Sequence, residues 1–399
     1  MDHYDRHWDH RAIGQRLELF HQQAEGPGMV FWHPRGFALY RIIEDYIRRR
    51  MKAAGFQEIR TPQLLARSLW QESGHWEKFG DGIFAVAADD RELALKPMSC
   101  PAHVQVFKQR PRSYRELPLR YCEFGACHRN EPSGALLGLM RTQAFVQDDA
   151  HVFCLEDQIE PEIVSFCALL RAVYADFGFE HFAVGLSTRP DNRAGSEADW
   201  DRAEAILARA AEAAGLDYRL QPGEGAFYGP KLEFILRDRR GRDWQCGTVQ
   251  LDFVLPERLG AHFQDESNGQ ARPAMIHHAV LGSLERFIGM LLEHHGGSLP
   301  LWLAPEQVVV ASIGAAQAGY AGRVAAELEA AGFRAVSDVR PERLSKKIVD
   351  ARGAGIPLLM AVGAREKRDG TVALRERDGT QAVMNLEQAM ALLRPQAFR

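Results

Sequence analysis

The stretch from residue 120 to 151 constrains this chain most. Leu119 to Phe124 and Thr142 to Val146 are rich in apolar and aromatic residues and read as two strands. The segment between them carries Pro132, Ser133, Gly134 and Gly138, residues that let a chain turn back. The predicted unit is a long antiparallel hairpin. Arg129 and Glu131 stand where its loop begins, and Arg141 where it ends. A guanidinium presents a planar fork of donors that can hold phosphate oxygens in two bonds at once, so two arginines astride one loop suit a polyphosphate. Phe145, on the returning strand, offers a face on which a flat base can stack. Taken alone, the same residues also fit a plain hairpin with a salt-bridged, solvated tip.

At 399 residues the chain has room for two or three domains, each with its own core. Its 46% hydrophobic and 26% charged residues are those of an ordinary globular protein. No apolar run approaches the roughly 18 residues that a membrane span needs. The first eight residues, Met1 to Trp8, lack the basic and apolar regions of a signal peptide, so a cytoplasmic location is expected. Net charge is −4, which excludes an indiscriminate nucleic-acid binder. From Leu301 onward, however, 14 Lys and Arg face 11 Asp and Glu, a balance of +3 that permits an RNA-facing C-terminal domain. The six cysteines (100, 122, 127, 154, 167 and 246) form no Cys-x-x-Cys pair, so a disulfide scaffold is not expected and most should be small buried hydrophobes.

Along the chain, residues 9 to 25 read as a polar helix. Residues 36 to 54 read as a long amphipathic one, with Leu39, Ile42, Ile43, Tyr46, Ile47 and Met51 at three- and four-residue spacing. A strand over 56 to 60 and the stop Thr61-Pro62 follow. A loop opens at Gly74-His75-Trp76, with strands near 83 to 87 and 93 to 96. Helices are predicted over 156 to 178 and 196 to 214, and strands over 181 to 187, 232 to 236, 243 to 246 and 248 to 253. Residues 255 to 273 read as loop and 274 to 295 as helix. Leu303-Ala304-Pro305 marks a domain boundary, giving domains 1–300 and 301–399. Beyond it, strands at 307–312, 334–339 and 358–362 alternate with helices at 320–331 and 344–352. A hairpin (371–376 and 381–384) and a helix over 385–393 close an α/β unit with a mixed sheet.

Arg129-x-Glu131, a long loop and Phe145 on an antiparallel return strand together resemble motif 2 of the class II aminoacyl-tRNA synthetases. His128-Arg129-Asn130-Glu131-Pro132-Ser133-Gly134, with Gln147-Asp148-Asp149-Ala150-His151 downstream, is similar to the threonyl members. The likeness runs from about Arg11 to the C-terminus, through Lys96-Pro97-Met98-Ser99-Cys100-Pro101, Gly223 to Lys231 and Trp244 to Phe253. Helix 36–54, its strand and Pro62 resemble motif 1, which implies a homodimer. Gly282-Ser283-Leu284-Glu285-Arg286 resembles motif 3. The implied fold is an α+β catalytic domain on an antiparallel sheet, followed by a smaller α/β anticodon-binding domain, without the N-terminal editing region of bacterial members.

The resemblance implies activation of threonine by ATP and its transfer to the 3′ end of threonine tRNA. Arg129, Lys231 and Arg286 would be catalytic. Arg129, Glu131, Arg141, Phe145, Gln245 and Arg286 would bind ATP, with Mg2+ as a further clamp on the phosphates. Cys100, His151 and His277, whose spacing alone says nothing, would hold one Zn2+ with positions left open for the substrate. Met98, Gln147, Asp149, Tyr228 and Gln250 would line the amino-acid pocket. His75, Glu366 and Arg375 would meet tRNA, and His75 and His103 would stand beside the metal rather than ligate it.

Some positions depart from the family pattern. Ser99 and Ala102 flank the cysteine where Asn and Gly are usual, and Gln143, Ala144 and Val146 replace the usual return strand. Pro341 and Val349 stand where asparagine and arginine usually read the anticodon, although Arg343, Lys346 and Lys347 keep that helix basic. Two other readings fit the residues less fully. One is a paralogue that adenylates threonine or a similar β-hydroxy amino acid and loads a carrier other than tRNA. The other is a non-catalytic RNA-binding relative, which the intact arginines argue against.

Overall fold

The run Ala274–Ser283, expected to be helical, is a strand, and that difference organises the larger part of the molecule. In the computed structural model, which describes residues 8–399, nearly every residue of this strand is buried. A strand covered on both faces shows a continuous apolar run rather than alternation, and such a run cannot be told from a buried helix by pattern alone. Met1 to His7, and the reading made of them, lie outside the described residues.

The chain forms two compact units: residues 1–21, 31–46 and 292–399 make one, and residues 22–30 and 47–291 the other. The second unit holds an eight-stranded sheet. In chain order its strands are β1 (Gln57–Glu58), β2 (Leu119–His128), β3 (Ala144–Cys154), β4 (Ala183–Ser187), β5 (Arg219–Gln221), β6 (Lys231–Arg237), β7 (Asp243–Asp252) and β8 (Ala274–Ser283). Their spatial order is β5-β4-β6-β7-β8-β3-β2-β1. Pairing is antiparallel except at the two edges, β4/β5 and β1/β2. The expected hairpin is β2 and β3, longer than read because both strands run on into the core.

Residues 243–246 and 248–253, read as two strands, are the one strand β7. Gly247 interrupts the pattern without breaking the strand. Its pairing with β6 shifts register at Cys246, and a Cβ on Gly247 would lie 2.6 Å from Leu170 Cδ1, so the glycine serves close packing. Helix Ile159–Asp176 covers this face of the sheet, with Phe166 against Phe234 and His278, and Tyr174 accepting from Gly247 N. Helix Cys100–Lys108 packs on the opposite face, where Val104 and Phe107 join Tyr121, Phe153 and Met275. A three-stranded sheet (Leu64–Ala66, Ala85–Ala88 and Arg91–Leu95) stands apart from the large one. Gly74-His75-Trp76 opens a short helix, His75–Phe79, rather than a loop. The predicted loop 255–273 contains helix Leu255–Arg258 and a two-stranded ribbon.

In the first unit the helix read over 9–25 spans only His10–Arg16, because Glu18 turns to φ 54° and Phe20–His21 then pairs with Phe31–Trp32. The C-terminal part is a five-stranded sheet of β9 (Val308–Ser312), β10 (Ala335–Asp338), β11 (Leu358–Val362), β12 (Thr371–Arg375) and β13 (Gln381–Asn385), in the order β10-β9-β11-β12-β13. Parallel pairing joins β10, β9 and β11, and antiparallel pairing the rest, the mixed sheet expected. Helices Ala318–Ala330 and Leu386–Ala397 bury Val324, Leu328, Ala389 and Leu393 in its core. An additional short helix, Ala364–Asp369, follows β11.

Candidate active site

The register of the large sheet lays one row of polar side chains across its open face. Gln250 on β7 pairs with His277 on β8, His277 with His151 on β3, and His151 with Tyr121 on β2. Because side chains alternate along a strand, Asp149, His151 and Phe153 share that face with Gln250 and Asp252. Cys100, at the start of its helix, comes down on the row. The ligand atoms of Cys100, His151 and His277 all lie within 4.8 Å of one another, and all three residues are buried.

The hydrogen bonds of the two histidines say which nitrogens remain. His277 Nε2 lies 2.8 Å from Asp252 Oδ2, so its N–H donates to the carboxylate and Nδ1 keeps its lone pair. His151 Nδ1 is engaged with His103 Nδ1 at 2.9 Å, which leaves Nε2. His151 Nε2 and His277 Nδ1 are 3.1 Å apart. Two nitrogen ligands of a tetrahedral zinc stand roughly 3.3 Å apart, given a Zn–N length of about 2.0–2.1 Å. The donor set therefore fits a metal ion. Burial pushes the Cys100 thiol well above its ordinary range and holds His151 well below its own, so both are uncharged until a cation compensates them.

Tyr228 links this group to a cleft of about 290 Å³: its ring stacks on His277 (centroids 4.8 Å apart), and its hydroxyl donates to Gln250 Oε1 at 2.6 Å. Met98, Arg129, Glu131, Arg141, Phe145, Gln147, Lys231, Gln245 and Arg286 line the same cleft, so the expected nucleotide and pocket residues are brought together. Arg129 lies between two rings, 5.1 Å from the Phe145 centroid and 5.3 Å from that of Phe79. Arg141 pairs with Glu131 at 2.8 Å. Arg286 donates to the carbonyls of Met140 (2.9 Å) and Gln245 (2.8 Å), and burial lowers its affinity for its proton. Lys231 pairs with Glu233 at 2.5 Å. Asp149 is buried, its Oδ1 3.8 Å from His151 Nε2.

Other expected residues stand differently. His75 is fully buried, with Nδ1 2.9 Å from Ser73 Oγ and Nε2 3.4 Å from Cys100 Sγ; burial pushes it down to about 3, and it has no exposed face to give to RNA. Glu366 caps its short helix by accepting from Gly363 N, and Arg375 lies on β12 with Nε buried and without a hydrogen-bond partner. Lys347, counted among the cations that keep its helix basic, is buried instead, its ammonium donating to the carbonyls of Ser312 (2.8 Å) and Asp338 (2.9 Å). Asp252 and Glu123 were given no role by sequence reasoning. The signal was present for Asp252, since Gln250 and Asp252 are two apart on one strand and must share a face.

An antiparallel sheet carrying an arginine-flanked hairpin loop and an arginine after its last strand is the architecture of a class II aminoacyl-tRNA synthetase core. Residues 84–295 match the family model described as tRNA synthetase class II core domain (G, H, P, S and T), and residues 307–396 match the anticodon binding domain. The threonine–tRNA ligase of Rhodospirillum rubrum is 55% identical over 96% of this chain, and that of Halorhodospira halophila 56% identical over 96%. This chain spans about 60% of the length of each. A crystal structure of the RNA binding domain of threonyl-tRNA synthetase from Cryptosporidium parvum superposes with a TM-score of 0.95 at 40% identity, covering 98% of this chain and 99% of that one. The chain belongs to the threonyl-tRNA synthetase family.

Proposed function

We propose that this chain joins the threonine carboxylate to the α-phosphorus of ATP, releasing pyrophosphate, and passes the threonyl group of the adenylate to the 3′ end of threonine tRNA, releasing AMP. The observation that carries the reading is the metal-fitting Cys100–His151–His277 group opening, through Tyr228, onto an arginine-lined cleft. The threonine carboxylate is already charged and needs no protein nucleophile; it needs position and neutralised phosphate charge. Arg129 holds the α-phosphate, with Arg141 and Arg286 toward the β and γ positions, Mg2+ as a further clamp and Lys231 near the transferring oxygens. Phe145 stacks on adenine and Glu131 meets its amino group. The Arg141–Glu131 pair is exposed, worth about 0–1 kcal/mol, so exchanging it for nucleotide contacts costs little.

Zinc on Cys100, His151 and His277 would supply a Lewis acid whose open positions suit an amino group and a hydroxyl. Asp149 accepts from that hydroxyl, and Gln147, Tyr228, Gln250 and Met98 close the pocket. A site built around a hydroxyl rejects valine, nearly isosteric with threonine, by a factor on the order of 10⁴–10⁵, whereas one missing methyl separates serine by only about 10–200-fold. The reading includes a catalytic domain over 1–300, an anticodon-binding domain over 301–399 in which Glu366 and Arg375 meet the anticodon, a homodimer formed through motif 1, and a cytoplasmic location. No described helix is long and apolar enough to cross a membrane.

Exchange of labelled pyrophosphate into ATP by the full chain tests this. Threonine should drive it, serine should drive it within roughly 200-fold, and valine should be rejected by at least about 10⁴. Exchange that is absent with threonine, or equal with valine, overturns the reading.

A further inference from the structure

Each metal-facing histidine is backed by a carboxylate, but at different removes. His277 meets Asp252 directly, and Asp252 Oδ1 is fixed in turn by the N–H groups of Val254 (2.7 Å) and Leu255 (2.9 Å). His151 meets no carboxylate on its Nδ1 side. It meets a second imidazole, His103, whose Nε2 lies 3.1 Å from Glu123 Oε2. Glu123 is held from all sides: Thr61 N at 2.8 Å, Thr61 Oγ1 at 2.9 Å and Lys96 Nζ at 3.1 Å from both oxygens. Lys96 and His103 are fully buried and Glu123 is 4% exposed. Nothing in the proposed reaction uses these three.

The partners fix the direction of each bond. Lys96 and Thr61 donate to Glu123, and against the cost of burial the bond from His103, the bond from Thr61 N and the positive charge of Lys96 hold its carboxyl down at about 2. A carboxylate only accepts, so His103 donates from Nε2 and presents a lone pair at Nδ1. That lone pair requires His151 to donate from Nδ1, and His151 is left with its lone pair on Nε2, facing His277 Nδ1. Were the order reversed at His103, His151 would carry its proton on Nε2 and present no lone pair to a metal.

We propose that Glu123, acting through His103, is the positioning residue that selects which nitrogen His151 offers to the metal. This rests on the reading of Cys100, His151 and His277 as a zinc site. Asp252 does the same for His277 in one step, while the Glu123 arm takes two. The charge on the longer arm is cancelled locally by Lys96, so the carboxylate orients His151 without adding net negative charge beside the substrate's own anionic groups.

The test is release of metal from the full zinc-loaded chain to a chromophoric chelator, together with the visible spectrum of the cobalt(II)-substituted protein. His103→Phe keeps a flat ring, slightly larger than the imidazole, and leaves Glu123 its lysine and threonine, so the fold should hold. It should release zinc at least about tenfold faster than the parent and alter the cobalt spectrum, the usual scale for losing an outer partner of a metal-bound histidine. His103→Gln, which keeps an oxygen to accept from His151, should fall between. Glu123→Leu, which leaves His103 no acceptor, should behave as His103→Phe. If it unfolds because Lys96 is left unpaired, the double variant Lys96→Met, Glu123→Leu should show the same fast release. A purely structural role predicts lower melting of the metal-free protein with release at the parent rate, and that result overturns the proposal while leaving the metal site standing. A parent chain that takes up no zinc or cobalt overturns the metal reading itself.

Discussion

Arg129, proposed above to hold the α-phosphate, is placed so that it can be removed without unfolding the protein. Its guanidinium is held by two aromatic faces and one bond, Nε to Pro97 O at 3.2 Å, worth about 1 kcal/mol net. Its charge at a developing transition state is worth about 2.7–4 kcal/mol. Arg129→Ala should therefore lower threonine-dependent pyrophosphate exchange by a hundredfold or more and leave the melting temperature within a few degrees of the parent. Exchange near the parent rate would show that another arginine holds the α-phosphate. Arg286 differs, since its two bonds to carbonyls tie the helix that follows β8 to the hairpin loop at Met140 and to β7 at Gln245. Glu285 beside it is a buried carboxyl that accepts from Val146 N and Ser283 Oγ, both at 3.0 Å, and burial raises it from 4.5 to about 7. Between those values the folded state keeps a proton that the unfolded chain has released, so rising pH favours unfolding. The denaturant midpoint should fall as pH goes from about 5 to 8. In Glu285→Gln, which keeps an oxygen acceptor but no titrating group, it should fall less. An unchanged pH slope in that variant would mean that Glu285 is ionised throughout.

At the scale of elements, the turn from β8 into helix Leu284–His295 governs the cleft, because it places Arg286. Gly282 makes that turn at φ 74°, and a Cβ there would lie 2.4 Å from the Cys246 carbonyl oxygen. Gly282→Ala should cost about 2 kcal/mol or more, from left-handed strain and displaced backbone, and should raise KM for ATP as Arg286 moves. A variant of parental stability and KM would contradict this account of the turn. The same junction shows what was legible beforehand. The β2–β3 hairpin could be read because Pro132, Ser133, Gly134 and Gly138 punctuate it. Strand β8 could not, because a strand buried on both faces has lost the alternation that identifies strands. Gly247 misled in the opposite way, marking close packing within one strand rather than the end of one. The site followed the same division. Arg129, Arg141 and Phe145 were suggested by their place around a loop, whereas Cys100, His151 and His277 are distant in sequence: the register of β3 with β8 brings the two histidines together, and Cys100 joins them from the start of its helix. Resemblance supplied that grouping; spacing did not. Lys347 was counted as surface charge although its helix buries it, since charge alone does not say which way a side chain points.

For the molecule as a whole, the account needs both units: one with the cleft, and one whose C-terminal part carries the anticodon-binding fold over 307–396. On the helix Leu344–Gly353, Val349 is 63% exposed and Lys347 is turned inward, which leaves few side chains there to read a base. Phosphate contacts position RNA but carry no sequence information. Anticodon substitutions in threonine tRNA should accordingly cost this chain less than they cost a family member with asparagine and arginine at positions 341 and 349, when charging is compared at fixed salt. A full-sized penalty would place the reading on other residues. The most direct test of the whole account is aminoacylation of threonine tRNA by the full chain with threonine and ATP. The account predicts threonyl-tRNA, formed by a protein that also drives threonine-dependent pyrophosphate exchange. Vigorous exchange with no charging of any tRNA would contradict it, and would mean that the threonyl group goes to a different acceptor.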